Sequence, residues 1–121
     1  MESVFGELIS SYSRAEAIND CVLVDVGAAY PVIARAHYKV PIAFTAALWS
    51  RIEAAAASVS GASREGFVHD VLYLAKTAKD SGDPSRRRFT IKLDEVVELE
   101  AIVGPGDNLE PVLTVGFLGE D

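Results

Sequence analysis

The sequence predicts an α+β fold: a helical N-terminal two-thirds packed on one face of a C-terminal antiparallel β-meander of three to four strands. Three observations predict it. Between Ala46 and Ala78 apolar residues recur every three or four positions, the period of a helix with one buried stripe. Between Arg86 and Val103 the period becomes two, the mark of a sheet with one wet and one buried face. The chain has 121 residues, half of them hydrophobic, which suits one domain over residues 1–121 with a core of its own. That apolar content is too high for disorder.

Each element has a local reason. Ser13-Arg14-Ala15-Glu16 reads as a capping box, opening a short helix to about Asp20. Cys21-Val22-Leu23-Val24-Asp25-Val26 is an apolar, β-branched run of strand length, and a candidate extra strand of the sheet. Residues 28–37 are Ala-rich and helical in pattern, with Pro31 fitting only the first turn. Pro41 breaks the pattern, and Thr45 is a good N-cap for a helix over roughly 46–57. Leu48, Trp49, Ile52, Ala55 and Ala56 form its buried face. A further helix runs from about Arg64 to Asp80, with Phe67, Val68, Val71, Leu72, Ala75 and Ala78 as its stripe. Gly82 suits a left-handed C-cap and Pro84 a stop.

Arg86, Arg88, Thr90 and Lys92 then alternate with Phe89, Ile91 and Leu93, and Val97, Leu99, Ala101 and Val103 with Glu98, Glu100 and Ile102. Both apolar sets share a face only if paired residue numbers differ by an even amount. That favours Lys92 opposite Glu98 and Thr90 opposite Glu100, around a loop at Asp94-Glu95-Val96. Gly104-Pro105-Gly106-Asp107-Asn108 is a dense turn signal. Val112 to Leu118 is a last strand, with Leu113, Val115 and Phe117 on one side.

The charge is one-sided. Asp94, Glu95, Glu98, Glu100, Asp107, Glu110, Glu120 and Asp121 all follow Lys92, and no Lys, Arg or His does. The net charge of −7 is therefore local, because residues 1–92 carry 11 basic and 10 acidic side chains. Such a field attracts basic surfaces and repels nucleic acid and anionic lipid. No apolar run is long enough for a membrane span, and Met1 to Ile9 lacks the base of a secretory signal. One cysteine, Cys21, allows no internal disulfide, which fits a reducing, cytoplasmic setting.

No combination of residues forms a catalytic signature, and no cofactor or metal is expected. His37 and His69 lie 32 positions apart without a third ligand in a recognisable spacing. His69-Asp70 reads as a solvated pair, and Cys21 as a buried structural thiol. Asp25 either faces outward or caps the Gly27-Ala28-Ala29 turn. The Gly104–Asp107 turn carries acids where a phosphate cradle needs amides and a base. Arg86-Arg87-Arg88 is a solvated strand start with Arg88 neutralising part of the acidic strand beside it.

Tyr12-Ser13-Arg14-Ala15-Glu16-Ala17-Ile18, Val22 to Val26, Ala34-Arg35 and Pro41 to Trp49 stand in order before Val103-Gly104-Pro105-Gly106-Asp107-Asn108-Leu109-Glu110-Pro111-Val112-Leu113-Thr114-Val115. This order resembles a family of small bacterial proteins of unknown function carried on plasmids, phages and other mobile elements. Cys21 stands where the resemblance leads one to expect glycine, and residues 27–33 also depart. The resemblance implies a mobile-element setting, where small acidic proteins often inhibit host defence, anti-CRISPR proteins and DNA mimics among them. The expectation is a non-enzymatic inhibitor in the bacterial host cytoplasm, using the eight late acids against a basic surface of a nucleic-acid-binding complex such as a CRISPR effector. It would touch neither nucleic acid nor membrane itself. The alternative is a maintenance module acting through an apolar helical face, with a homodimer as one form.

Overall fold

A computed structural model describes residues 13–78 and 85–120. The described elements are helix α1 (Arg14–Asn19), strand β1 (Leu23–Asp25), helices α2 (Val26–Ala29) and α3 (Pro31–His37), strand β2 (Ile42–Thr45), helices α4 (Ala46–Ser58) and α5 (Arg64–Thr77), and strands β3 (Arg86–Lys92), β4 (Val96–Pro105) and β5 (Pro111–Phe117).

Side chains written into the sequence start most of the helices. Ser13 Oγ accepts from the Glu16 amide at 3.0 Å, Asp25 Oδ1 from Ala28 at 3.1 Å, Thr45 Oγ1 from Leu48 at 3.3 Å and Ser63 Oγ from Gly66 at 3.0 Å. Asp25 thus takes the capping role rather than the outward one. Pro31 occupies the first turn of α3. The 28–37 segment forms two short helices, because Tyr30 leaves helical geometry at φ −136°. Helix α5 ends at Thr77, with Ala78 extended, three residues before the expected Asp80. Asp80, Gly82 and Pro84 lie outside the described residues.

The strands form one five-stranded sheet in the order β1-β2-β5-β4-β3. Strand β2 runs parallel to β5, and all other neighbours are antiparallel. The expected meander is therefore only the β3-β4-β5 part of a mixed sheet, which β1 and β2 extend. Strand β2 escapes a sequence reading because all four of its residues are buried. A strand covered on both faces shows no alternation of polarity.

The β3–β4 register also differs from expectation. Lys92 faces Val96, Thr90 faces Glu98 and Arg88 faces Glu100, a shift of two residues. The parity rule holds, so the same side chains face the core. The loop moves to Leu93-Asp94-Glu95, closed by the Leu93 amide on the Glu95 carbonyl at 3.0 Å. Leu93 is thereby freed to sink into the core instead of pairing across the strands.

The main core lies between the sheet and helices α2–α5. Ile42, Phe44, Leu99, Ala101, Leu113 and Val115 from the sheet meet Leu48, Ile52, Val68, Val71 and Leu72 from α4 and α5. A second, smaller cluster joins Ala17 of α1 to Leu23 and Ala43. Ala43 belongs to the opposite face of the sheet, since Ile42 and Phe44 on either side of it point into the main core, and Leu23 shares that face because it pairs with Thr45, two residues on from Ala43. Helix α1 therefore covers the far face at the β1–β2 side, and the helices do not all lie on one face. Cys21 is exposed rather than buried, in the turn between α1 and β1, with φ +61°.

Candidate functional site

The described late acids separate to the two ends of the sheet, and most have partners within the chain. Asp94 and Glu95 form the β3–β4 hairpin tip. Arg51 of α4 reaches both, with Nε 3.0 Å from Asp94 Oδ1 and Nη2 2.7 Å from Glu95 Oε1. The Arg51 hydrogen bond holds the Asp94 carboxyl below the usual carboxylate range. Glu98 follows on β4, exposed, and makes no ion pair among the described residues. Glu100 is only 3 % exposed, on the far face of the sheet. Arg86 Nη1 stands 3.5 Å and Arg88 Nε 3.7 Å from its two oxygens. Glu120 returns to the hairpin end of the sheet, where Thr45 Oγ1 donates to its Oε1 at 3.1 Å. Burial pushes the Glu120 carboxyl up, against the lowering effect of that hydroxyl. Asp121 lies outside the described residues.

Asp107 and Glu110 sit at the other end, in the β4–β5 turn beyond the Pro105–Pro111 pair. Asp107 accepts the Arg14 amide at 2.5 Å and the Ala15 amide at 3.0 Å. With Ser13 on the Glu16 amide, the first three amides of α1 are all satisfied by side chains. The Arg14 side chain passes inward and is buried. It donates from Nη1 to Thr114 Oγ1 at 3.1 Å and from Nη2 to the Leu113 carbonyl at 3.2 Å. Burial lowers the pKa of its guanidinium, and Asp25, Asp107 and Glu110 oppose that effect with their charges. Glu110 also tightens its own turn, accepting the Asn108 amide at 2.9 Å.

The model of a family of unknown function (DUF6573) matches residues 1–121. The chain belongs to that family. No curated protein and no solved structure was found to match it. The expectation of an uncharacterised family is thus met. Two of the segments that carry the sequence resemblance, the one around Arg14 and the block around Asp107, meet at the foot of α1. Their contacts are those of a clamp that fastens a short helix to the sheet. The resemblance also led to glycine at position 21, and φ +61° is a left-handed conformation in which glycine is at ease.

Sequence reasoning missed three features. Arg14 reads only as a member of a capping box, and nothing in its neighbours marks it as buried. His37 and His69 come together across α3 and α5, with ring centroids 4.7 Å apart and planes at 74°. Both ring nitrogens of His37 are inaccessible and have no hydrogen-bond partner among the described residues. Burial, with the charges of Lys76 and His69, holds the His37 imidazole below its ordinary pKa. His69 itself is half exposed, with Nδ1 3.6 Å from Asp70 Oδ1. Arg51 was not marked either, although a base four residues after Ala47 on an otherwise apolar helix start is the one signal it offers. No helix among the described residues is long and apolar enough to cross a membrane.

Proposed function

We propose that this protein is a non-enzymatic acidic binding protein of the bacterial cytoplasm that docks its hairpin end on a basic surface. The supporting observation is the exposure of Asp94, Glu95 and Glu98 at one end of the sheet, where Arg51 meets the first two and leaves Glu98 without an ion pair among the described residues. The exposed pairs to Arg51 contribute little to stability, so they can be exchanged for a partner's cations at small cost. The partner class that best suits such a surface is the phosphate-binding groove of a nucleoprotein. In a phage or plasmid setting, as the sequence resemblance implies, that partner is a host defence complex such as a CRISPR effector, and the chain is its inhibitor. Of the remaining acids, Glu100, Asp107 and Glu110 serve the fold, and Glu120 stands at the margin of the contact.

The test is capture from a bacterial lysate at about 50 mM and 500 mM salt, screening lengths of roughly 14 and 4 Å. The wild-type chain is compared with the triple variant Asp94→Lys, Glu95→Lys, Glu98→Lys. Glu100 is left intact because reversing it would strike the fold. A basic nucleic-acid-binding complex held by the wild type at low salt, and lost at high salt and in the variant, supports the proposal. Equal capture by the variant overturns it.

A second reading is a mobile-element maintenance module acting through an apolar helical surface. Val32 of α3 and Tyr73 of α5 favour it, since both are large apolar side chains left exposed on the helical layer. A partner, or a second copy of the chain, that stays bound at high salt and is lost on Val32→Ser with Tyr73→Ser would support this reading instead.

A further inference from the structure

We infer that the cavity between the C-terminal end of α5 and the inner face of β3–β4 is a binding site for a small organic anion, one with an apolar body and a carboxylate or phosphate head. It is a cleft open to solvent on one side, with a volume of about 380 Å³, within the range of small-molecule sites. Its walls divide by chemistry. Ala101, Val103 and Leu113 supply an apolar floor, while Lys76, Arg87 and the Tyr38 phenol supply polar groups.

The alternation of β3 explains why a cation points here. Arg86 and Arg88 face the far side of the sheet and engage Glu100, so Arg87 between them must face the helical side. There Arg87 Nη1 donates to the Lys76 carbonyl at 3.1 Å. That bond fixes the guanidinium at the rim, with other N–H groups left to receive a carboxylate or phosphate. Lys76 adds a second positive charge. None of the described lining residues is acidic, although the chain carries a net charge of −7. Val103 is the second unusual feature. It lies on the inward-facing row of β4, paired with Leu113, yet keeps 42 % of its surface exposed. An apolar ligand body laid on Val103 would complete the core there. The site does not depend on the proposed docking of the hairpin end, which uses other residues at the other end of β4.

The experiment is an amide-resolved NMR titration of the full chain with 4-phenylbutyrate, phenyl phosphate and the neutral 4-phenylbutanamide. Saturable shifts are expected at Tyr38, Ala75, Arg87, Val103 and Leu113. A dissociation constant on the order of 1 mM is expected for at least one anion, as suits a ligand of about a dozen non-hydrogen atoms. The preferred head group separates carboxylate from phosphate. The neutral amide, and the anion on Arg87→Gln or Lys76→Gln, should bind about tenfold more weakly. Lys76 is exposed, so its variant tests the site without threatening the fold, and Arg88→Gln on the other face should leave affinity unchanged. The proposal is overturned if neither anion gives saturable shifts by about 10 mM. It is equally overturned if the amide binds as well as the anions, or if Lys76→Gln and Arg87→Gln bind like the wild type.

Discussion

Cys21 shows how one residue can lie against its backbone. Its φ of +61° is the left-handed region, which costs a residue with a Cβ about 1–2 kcal/mol. Its side chain is exposed and has no packing to lose. Cys21→Gly should therefore stabilise the chain by a net 0.5–1 kcal/mol or so, because glycine's extra freedom in the unfolded state offsets part of the relief. A rise in Tm of a few degrees by calorimetry would show it, and a fall would mean that Cys21 makes a contact that matters. Leu109, at φ +65° and 84 % exposed, should respond to glycine in the same direction. His37 makes a different prediction. Its fold favours the neutral imidazole, so the unfolded chain binds the proton more readily. The stability it contributes is complete above its ordinary value, about 6.5, and is lost as pH falls below it. Tm should decline from pH 7.5 to pH 5, and His37→Phe should flatten that decline. An equal decline in the variant would place the titration elsewhere. These two residues also differ in legibility: glycine at position 21 could be expected from the resemblance, whereas the environment of His37 depends on α3 meeting α5.

At the scale of elements, α1 depends most on a distant residue. Six residues cannot sustain a helix alone, and Asp107 supplies the acceptor for its first two amides from 92 and 93 positions away. Asp107→Ala should cost about 1–3 kcal/mol and raise amide exchange across α1 and β1, while leaving α4 and α5 protected. Uniform exchange changes across the whole chain would show that α1 is not a separable unit. The helices were legible because their caps are local: Ser13, Thr45 and Pro31 act within one turn of themselves. The hairpin was legible in parity but not in register, because a shift by two residues keeps every side chain on its face. Strand β2 was not legible, since four residues buried on both sides carry no period. The same limit applied to the acids. Their sequence clustering was plain, but Asp107 and Glu110 leave the hairpin end because β4 spans the whole height of the sheet between them and Glu98.

For the whole molecule, the question is how a chain of net charge −7 tolerates its own acidic C-terminal stretch. Glu100 gives the clearest answer. It is buried on the far face of the sheet, and the two arginines beside it come from the basic start of β3, brought alongside by the hairpin. The basic cluster and the acidic strand thus compensate each other within one sheet, rather than forming two opposed surfaces. Removing the carboxylate should leave Arg86 and Arg88 facing each other without their common partner. Both can partly swing into water, since their side chains are 34 % and 63 % exposed, which keeps the loss below that of a fully buried pair. Glu100→Ala should therefore destabilise by about 2 kcal/mol in urea unfolding, with an unchanged m-value. Glu98→Ala, two residues away on the same face but exposed, should change stability by less than about 0.5 kcal/mol. That contrast separates the acids that hold the fold from those available to a partner. If both substitutions were neutral, the far face would be held by other contacts. If Glu98→Ala were as costly as Glu100→Ala, the hairpin acids would belong to the fold as well, and the surface offered to a basic partner would shrink to Asp94 and Glu95.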